Sequence, residues 1–326
     1  MANEAFQHWR DLFDRAGVDM YHECGMLWMF QNQSEYPGQA RNNLEKLGLT
    51  FEEITVAQAG RRFPVFNFSD IKHVFWEPKA GILEARKSCQ LVYENFIREG
   101  GLFKQAHVSS PEDKGNRLRK IDLGDGVNLN ADQYIFACGP WNKVLFNGVL
   151  GDYLYTSRQE VYFFKVPSQR ALFYQWGATP LWFDFNESSR MYYGIPDVGG
   201  RGFKLAYDDR SQSFDPDHDD RVPEPQNLKE AKEYLAFRFP GLKDAPLIEA
   251  RVCQYENSLD EHYIMDKHPA WKNVLVLGGS SGHGFKMGPV IGRIVHDHIH
   301  LDAALPGEFS LDRFAKKRSG LNLSEE

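Results

Sequence analysis

Apolar positions along the chain change their spacing repeatedly, and each change predicts an element. Phe6, Trp9, Leu12, Phe13 and Ala16 recur every three to four residues, the face of a helix that Gly17 ends. The pattern then predicts a strand at 25–31, a polar helix at 38–47, a short helix at 56–62 ending before Pro64, and a strand at 73–76. Cys89, Val92, Phe96 and Ile97 form the stripe of an amphipathic helix at 85–98, closed by Gly100 and Gly101. Short strands are expected at 102–108, 117–123 and 126–130, the last two joined by a turn at Asp125-Gly126. A buried strand at 133–137 runs into the bend Cys138-Gly139-Pro140-Trp141. Aromatic strands suited to an antiparallel sheet follow at 158–166, 177–184 and 190–195. A helix at 227–237 stops before Pro240-Gly241, and strands at 248–255 and 273–277 precede a helix that opens near Phe285 and whose body spans 288–300. There are no internal repeats, and the plan is α/β mixed with α+β.

With 326 residues the chain can form two domains and bury a sizeable core. Its net charge of −7 lacks the basic face that nucleic acid requires, which argues against such a partner. No apolar run reaches the length of a membrane span, and Met1-Ala-Asn-Glu-Ala has neither the basic nor the apolar region of a signal peptide. Cys24, Cys89, Cys138 and Cys253 show no CxxC spacing and read as free thiols of a reducing compartment, so a cytoplasmic address is expected. The C-terminal Leu321-Asn-Leu-Ser-Glu-Glu326 is not a peroxisomal signal. Aromatic residues make up 14% of the chain, enough for either a large aromatic core or a site for a flat cofactor.

The densest chemistry lies near the C-terminus. In Gly278-Gly-Ser-Ser-Gly-His-Gly-Phe-Lys286 a glycine bend joins a strand to a helix, aiming backbone N–H groups and the positive helix end at one point, which suits an anion or an electron-rich ring. A Walker-type phosphate loop is excluded by the missing Gly-Lys-Ser/Thr ending. Upstream, Cys253 and Tyr255 share one face of a strand by their spacing of two. Asp260-Glu-His-Tyr-Ile-Met-Asp266 and His268-Pro269 come next. Two other clusters read as solvated structure. His296, His298 and His300 diverge around a helix axis and cannot share a metal, and Asp215 to Asp220 lacks the glycine and glutamate of a calcium loop.

Taken together, these motifs resemble the monomeric sarcosine oxidase, N-methyltryptophan oxidase and pipecolate oxidase group of FAD-dependent amine oxidases, within the D-amino acid oxidase-like superfamily. Further matching pieces are Glu77-Pro-Lys-Ala-Gly-Ile82, Ala137-Cys-Gly-Pro-Trp141 and Gly202-Phe-Lys-Leu205. The resemblance implies an FAD-binding domain of glutathione-reductase-like type at 1–20, 78–152 and 256–326. An antiparallel-sheet substrate domain is implied at 21–77 and 153–255. Members of the group open with a strand and GxGxxG turn for the FAD pyrophosphate. This chain carries no such fingerprint, so roughly 50 to 60 residues, with an arginine that helps hold the substrate carboxylate, are expected to be missing ahead of Met1.

The resemblance also assigns roles. Cys253 is implied to carry FAD through an 8α-thioether; the alternative for a lone strand cysteine is a small core residue. Lys204 matches the lysine that activates O2, where a fixed cation offsets the charge of superoxide; otherwise it is a strand-end lysine. Lys286 matches the lysine that pairs with the substrate carboxylate, and its place early in a helix makes a structural role unattractive. Gly282, His283, Gly284 and Phe285 are implied to approach the flavin, and Cys138, Gly139 and Trp141 to close its site. Tyr255 would shape the substrate pocket. Asp208 stands where sarcosine oxidases have histidine, which brings an anion toward the amine and points to a more basic or bulkier substrate. The implied reaction oxidises a secondary amine or N-substituted amino acid to an imine and reduces O2 to H2O2. Sarcosine, N-methyl amino acids, pipecolate and Amadori-type adducts are all candidate substrates. Two alternatives stay open. One is a non-catalytic remnant that needs a complementing chain to bind FAD; the other is a dehydrogenase that passes its electrons elsewhere.

Overall fold

The computed structural model describes residues 1–31, 35–124, 126–186 and 191–314. Asp125, Arg190 and the C-terminal hexapeptide of the sequence reading lie outside them. The centre is an eight-stranded sheet in the order Leu247–Ser258, Leu154–Phe164, Phe203–Asp208, Met191–Ile195, Leu181–Phe185, Met26–Phe30, His73–Glu77, Glu52–Ile54. Neighbours run antiparallel except Leu181–Phe185 and Met26–Phe30, which are parallel. The antiparallel expectation thus needs one correction, at the junction where the strand from the first part of the chain joins those from the later part.

Alternation along the strands divides the sheet into two faces. Tyr162, Phe164, Trp182, Phe203 and Leu205 point to one side, where Ala231, Leu235 and Phe239 from helix Pro225–Arg238 and the turn after it complete the main core. Trp182 stacks on Phe203 at 4.8 Å and meets Phe239 edge-on at 4.8 Å. Arg238 enters this core with no exposure, forked onto Asp70 at 2.8 and 2.9 Å and bonded to Asp184 at 2.9 Å, while Tyr234 donates to Asp184 at 2.7 Å. Removing either partner would strand a buried charge.

The second layer is a three-stranded sheet, Ile264–Lys267, Val274–Gly278 and Tyr134–Phe136, in which the last two are parallel. Helices Ala2–Ala16 and Gly284–His300 pack against each other; the Trp9 indole donates to the Lys286 carbonyl at 3.0 Å and its ring lies 5.2 Å from Phe285.

The expected strands at 102–108, 117–123 and 126–130 shrink to one two-residue ladder, Ile121–Asp122 with Asn128–Leu129. Leu102 and Phe103 are exposed, and residues 102–108 join no ladder among the described residues, so no inter-strand hydrogen bonds hold them as a strand. Helix Ala85–Arg98 forms as its periodicity predicts, yet Val92, Phe96 and Ile97 are exposed. Its stripe is real but faces away from the described core. No described helix is long and apolar enough to cross a membrane, and no group of three or more potential metal ligands occurs among the described residues.

Candidate active site

The sheet face opposite the main core gathers four of the residues singled out in the sequence, Lys204, Asp208, Cys253 and Tyr255. Registers place Lys204 beside Phe163, Ala206 beside Val161 and Tyr193, and Cys253 beside Gln159. Cross-strand partners share a face, so Lys204, Ala206, Asp208, Tyr193, Cys253 and Tyr255 all project to the same side. Val161, Phe163 and Ala206 make its apolar floor, with Tyr193 and Cys253 packed on it.

Gly282 brings the glycine bend onto this face. It sits at φ +80°, and a Cβ there would lie 2.6 Å from the Tyr255 ring. Only glycine fits a left-handed position in such close contact with an aromatic ring. Ser281 is also left-handed, at φ 48° and fully buried. It is held by its N–H on the Glu256 carbonyl at 2.8 Å, while its hydroxyl donates to the Gly279 carbonyl at 3.2 Å. A serine in that conformation persists only where its surroundings over-determine it.

Beneath the bend, Glu256 is buried. Its carboxylate accepts from the Gly279 N–H at 2.7 Å and the Asn142 amide at 2.9 Å, and Asn142 also donates to the Leu277 carbonyl at 2.9 Å. Burial pushes Glu256 up to about 7, and these two donors hold it back. The bend, the Cys138–Asn142 segment and the long strand therefore converge on one carboxyl group.

The cations of the site are uncompensated. Burial lowers Lys204, and no carboxylate acts on it; its Nζ lies 5.4 Å from the Tyr193 ring centroid. Burial also lowers Lys286, although its side chain keeps contact with solvent. Helix Gly284–His300 begins at His283 without a side-chain cap, leaving its first N–H groups available to an anion. Burial raises the Cys253 thiol, while Lys204 pulls it down. Tyr193 and Tyr255 share a hydroxyl contact of 3.1 Å, and burial raises both. A glycine bend, a thiol and Lys204 on one sheet face, followed by an uncapped helix end that carries Lys286, fit an electron-rich ring system better than a cation.

Other expected residues lie in contacts that the sequence did not show. Asp208 is not a free anion: Arg210 forks onto it, Nε to Oδ1 at 3.3 Å and Nη2 to Oδ2 at 3.4 Å. The Trp141 indole donates to Asp217 at 2.8 Å, tying the bend after Phe136 to the acidic loop, whose Asp215 accepts from its own backbone at Asp217 and His218. Cys138 and Gly139 lie beside Asn142, with the Cys138 N–H on Asn142 Oδ1 at 3.3 Å. Sequence reading missed Tyr193, Arg210, Glu256 and Ser281. The spacing of two from Lys204 through Asp208 to Arg210 was available as a signal; the others depend on contacts across the chain. A polar cleft of about 280 Å³ opens on the opposite sheet face, lined by residues including Arg158 and Glu160, and these two charges pair at 2.8 Å.

The profile of FAD dependent oxidoreductases (DAO) matches residues 1–298. The chain belongs to this family. It is 27% identical to monomeric sarcosine oxidase of Bacillus sp. (strain B-0618), across 94% of this chain and 77% of that enzyme. It is 25% identical to peroxisomal sarcosine oxidase of Mus musculus, across 98% of this chain and 81% of that enzyme. Its fold superposes on L-proline dehydrogenase from P. horikoshii with a TM-score of 0.81 at 17% identity, covering 97% of this chain and 83% of that structure. Membership of the family agrees with the chemistry of the donor set around the glycine bend.

Proposed function

We propose that this protein oxidises a secondary amine, an N-methyl or otherwise N-substituted amino acid, with FAD held between the Gly278–Gly284 bend and the sheet face bearing Cys253 and Lys204. The contact of Gly282 with the Tyr255 ring supports this most directly, because it brings the bend that precedes the uncapped helix end onto that face. FAD, when bound, supplies the two-electron acceptor.

The substrate carbon next to nitrogen loses a hydride equivalent and the nitrogen a proton, giving an imine that water cleaves to an amine and an aldehyde. The two electrons and two protons leave as H2O2 once O2 accepts them. Lys286 binds the substrate carboxylate by a charge-assisted pair, its side chain at the start of the helix being exposed to an incoming anion. Tyr193 and Tyr255 confine the amine from the sheet side. Lys204 holds a positive charge where O2 takes its first electron, and the lack of a carboxylate partner leaves that charge undiluted. Cys253 would hold the cofactor covalently through its sulfur; the attachment would release two electrons and two protons, for which O2 is the acceptor. Burial raises the thiol overall, and the Lys204 charge partly offsets this in favour of the thiolate.

The visible spectrum of the purified protein before and after acid precipitation tests the proposal. Flavin colour should stay in the pellet and be released from Cys253→Ala. Colour released from the native protein sinks covalent attachment alone, whereas a protein that neither carries nor takes up FAD sinks the whole reading. A peroxide yield near one per substrate distinguishes an oxidase from a dehydrogenase.

A further inference from the structure

Arg210 commits its guanidinium unevenly. Nε and Nη2 meet both oxygens of Asp208, in a pair whose side chains are only 16% and 14% exposed. This fork fixes the guanidinium plane. Nη1 is buried and has no aligned hydrogen bond. Its neighbour is a Glu261 oxygen at 2.9 Å, on a side chain 62% exposed. A single ion pair to a solvated side chain contributes little and is readily exchanged. The charge of Arg210 reaches Tyr255 and His283, and His283 also feels Lys286. Besides Lys204, the site thus holds two cationic groups with donors to spare, the Lys286 ammonium and the Nη1 edge of Arg210, the second oriented by Asp208 and covered by a weakly held glutamate.

We propose that Arg210 Nη1 recognises a second carboxylate on the substrate, which displaces Glu261, so that N-substituted amino dicarboxylates are preferred over monocarboxylates. This rests on the amine-oxidising reading of the site. Exchange of one carboxylate for another at Nη1 leaves the number of ion pairs unchanged, so the gain comes from a substrate group held by two anchors.

The test compares the FAD-loaded protein, Arg210→Lys and Glu261→Gln on N-methylaspartate, N-methylglutamate and N-methylalanine, which differ in the distal carboxylate. The ratio of kcat/KM, dicarboxylate over N-methylalanine, should exceed about tenfold in the native protein. It should fall about tenfold in Arg210→Lys, which lacks the fork, and rise about threefold in Glu261→Gln, which lacks the competitor. A ratio that neither substitution moves overturns the proposal and leaves amine oxidation standing. Glu261→Gln alters an exposed side chain, so it carries the test if Arg210→Lys does not fold. Oxidation of none of the three compounds refutes the functional reading instead, and binding then decides the inference. Succinate and glutarate must raise Tm more than propionate does, and that excess must vanish in Arg210→Lys; equal shifts overturn it.

Discussion

Replacing Glu256 with glutamine should remove a pH dependence of stability that this carboxyl group imposes on the glycine bend. Glutamic acid ordinarily ionises near 4.5, and burial moves Glu256 to about 7. The folded chain therefore keeps a proton that the unfolded chain releases. The resulting stabilisation is fully present below pH 4.5 and is lost as pH rises through 7. Each pH unit in that window carries about 1.4 kcal/mol, or about 3 kcal/mol across it. Glutamine is uncharged like the protonated acid, but its NH2 cannot accept from Gly279 or Asn142 as the second carboxyl oxygen does, so near pH 5 the variant should be the less stable by about 1–3 kcal/mol. Between pH 5 and pH 7.5 the difference should then shift in favour of the variant by about 2–3 kcal/mol. His268 and His283, both lowered by burial, act with the opposite sign: their contribution is lost as pH falls below the ordinary 6.5. Because both proteins contain them, subtracting the two urea-unfolding curves at each pH isolates Glu256. A difference that stays constant between the two pH values would refute the reasoning, and one that shifts in favour of the variant toward acid would reverse its sign.

Gly282→Ala places a Cβ against Tyr255 and strains a positive φ, so it should cost about 1–3 kcal/mol and weaken FAD retention, measured by urea unfolding and flavin content. Arg238→Met removes the partner of Asp184 and Asp70 inside the main core, and a loss of about 3–5 kcal/mol is expected, with the absorbance of bound flavin unchanged in whatever fraction folds. Lys204→Met should slow oxygen consumption by about a hundredfold while anaerobic bleaching by substrate persists; equal loss of both would place Lys204 in substrate binding.

Sequence pattern was a good guide where one element sufficed. The helices at Ala2–Ala16, Val56–Arg62, Ala85–Arg98 and Gly284–His300 follow from their apolar spacing and their stops, because a helix satisfies its backbone within itself. Strands were harder. Residues 102–108 read as a strand yet pair with no described strand, whereas Glu52–Ile54 is charged and short yet pairs with His73–Glu77. A ladder needs a second segment, and which segment is available is not written locally.

The chain by itself determined the local pieces of the site: the bend with its glycines, the two-residue spacing that puts Cys253 with Tyr255, and the lysines at 204 and 286. Local geometry and side-chain chemistry dictate these whatever the rest of the fold does. Tertiary structure alone decided how they combine. It laid Gly282 on the Tyr255 ring, set Glu256 beneath the bend with Asn142, joined the hydroxyls of Tyr193 and Tyr255, and covered Asp208 with Arg210. Each of these depends on distances between segments remote in sequence. Burial, which moves Glu256, Lys204 and Cys253 from their ordinary pKa values, is likewise a property of the assembled fold and of no residue within it.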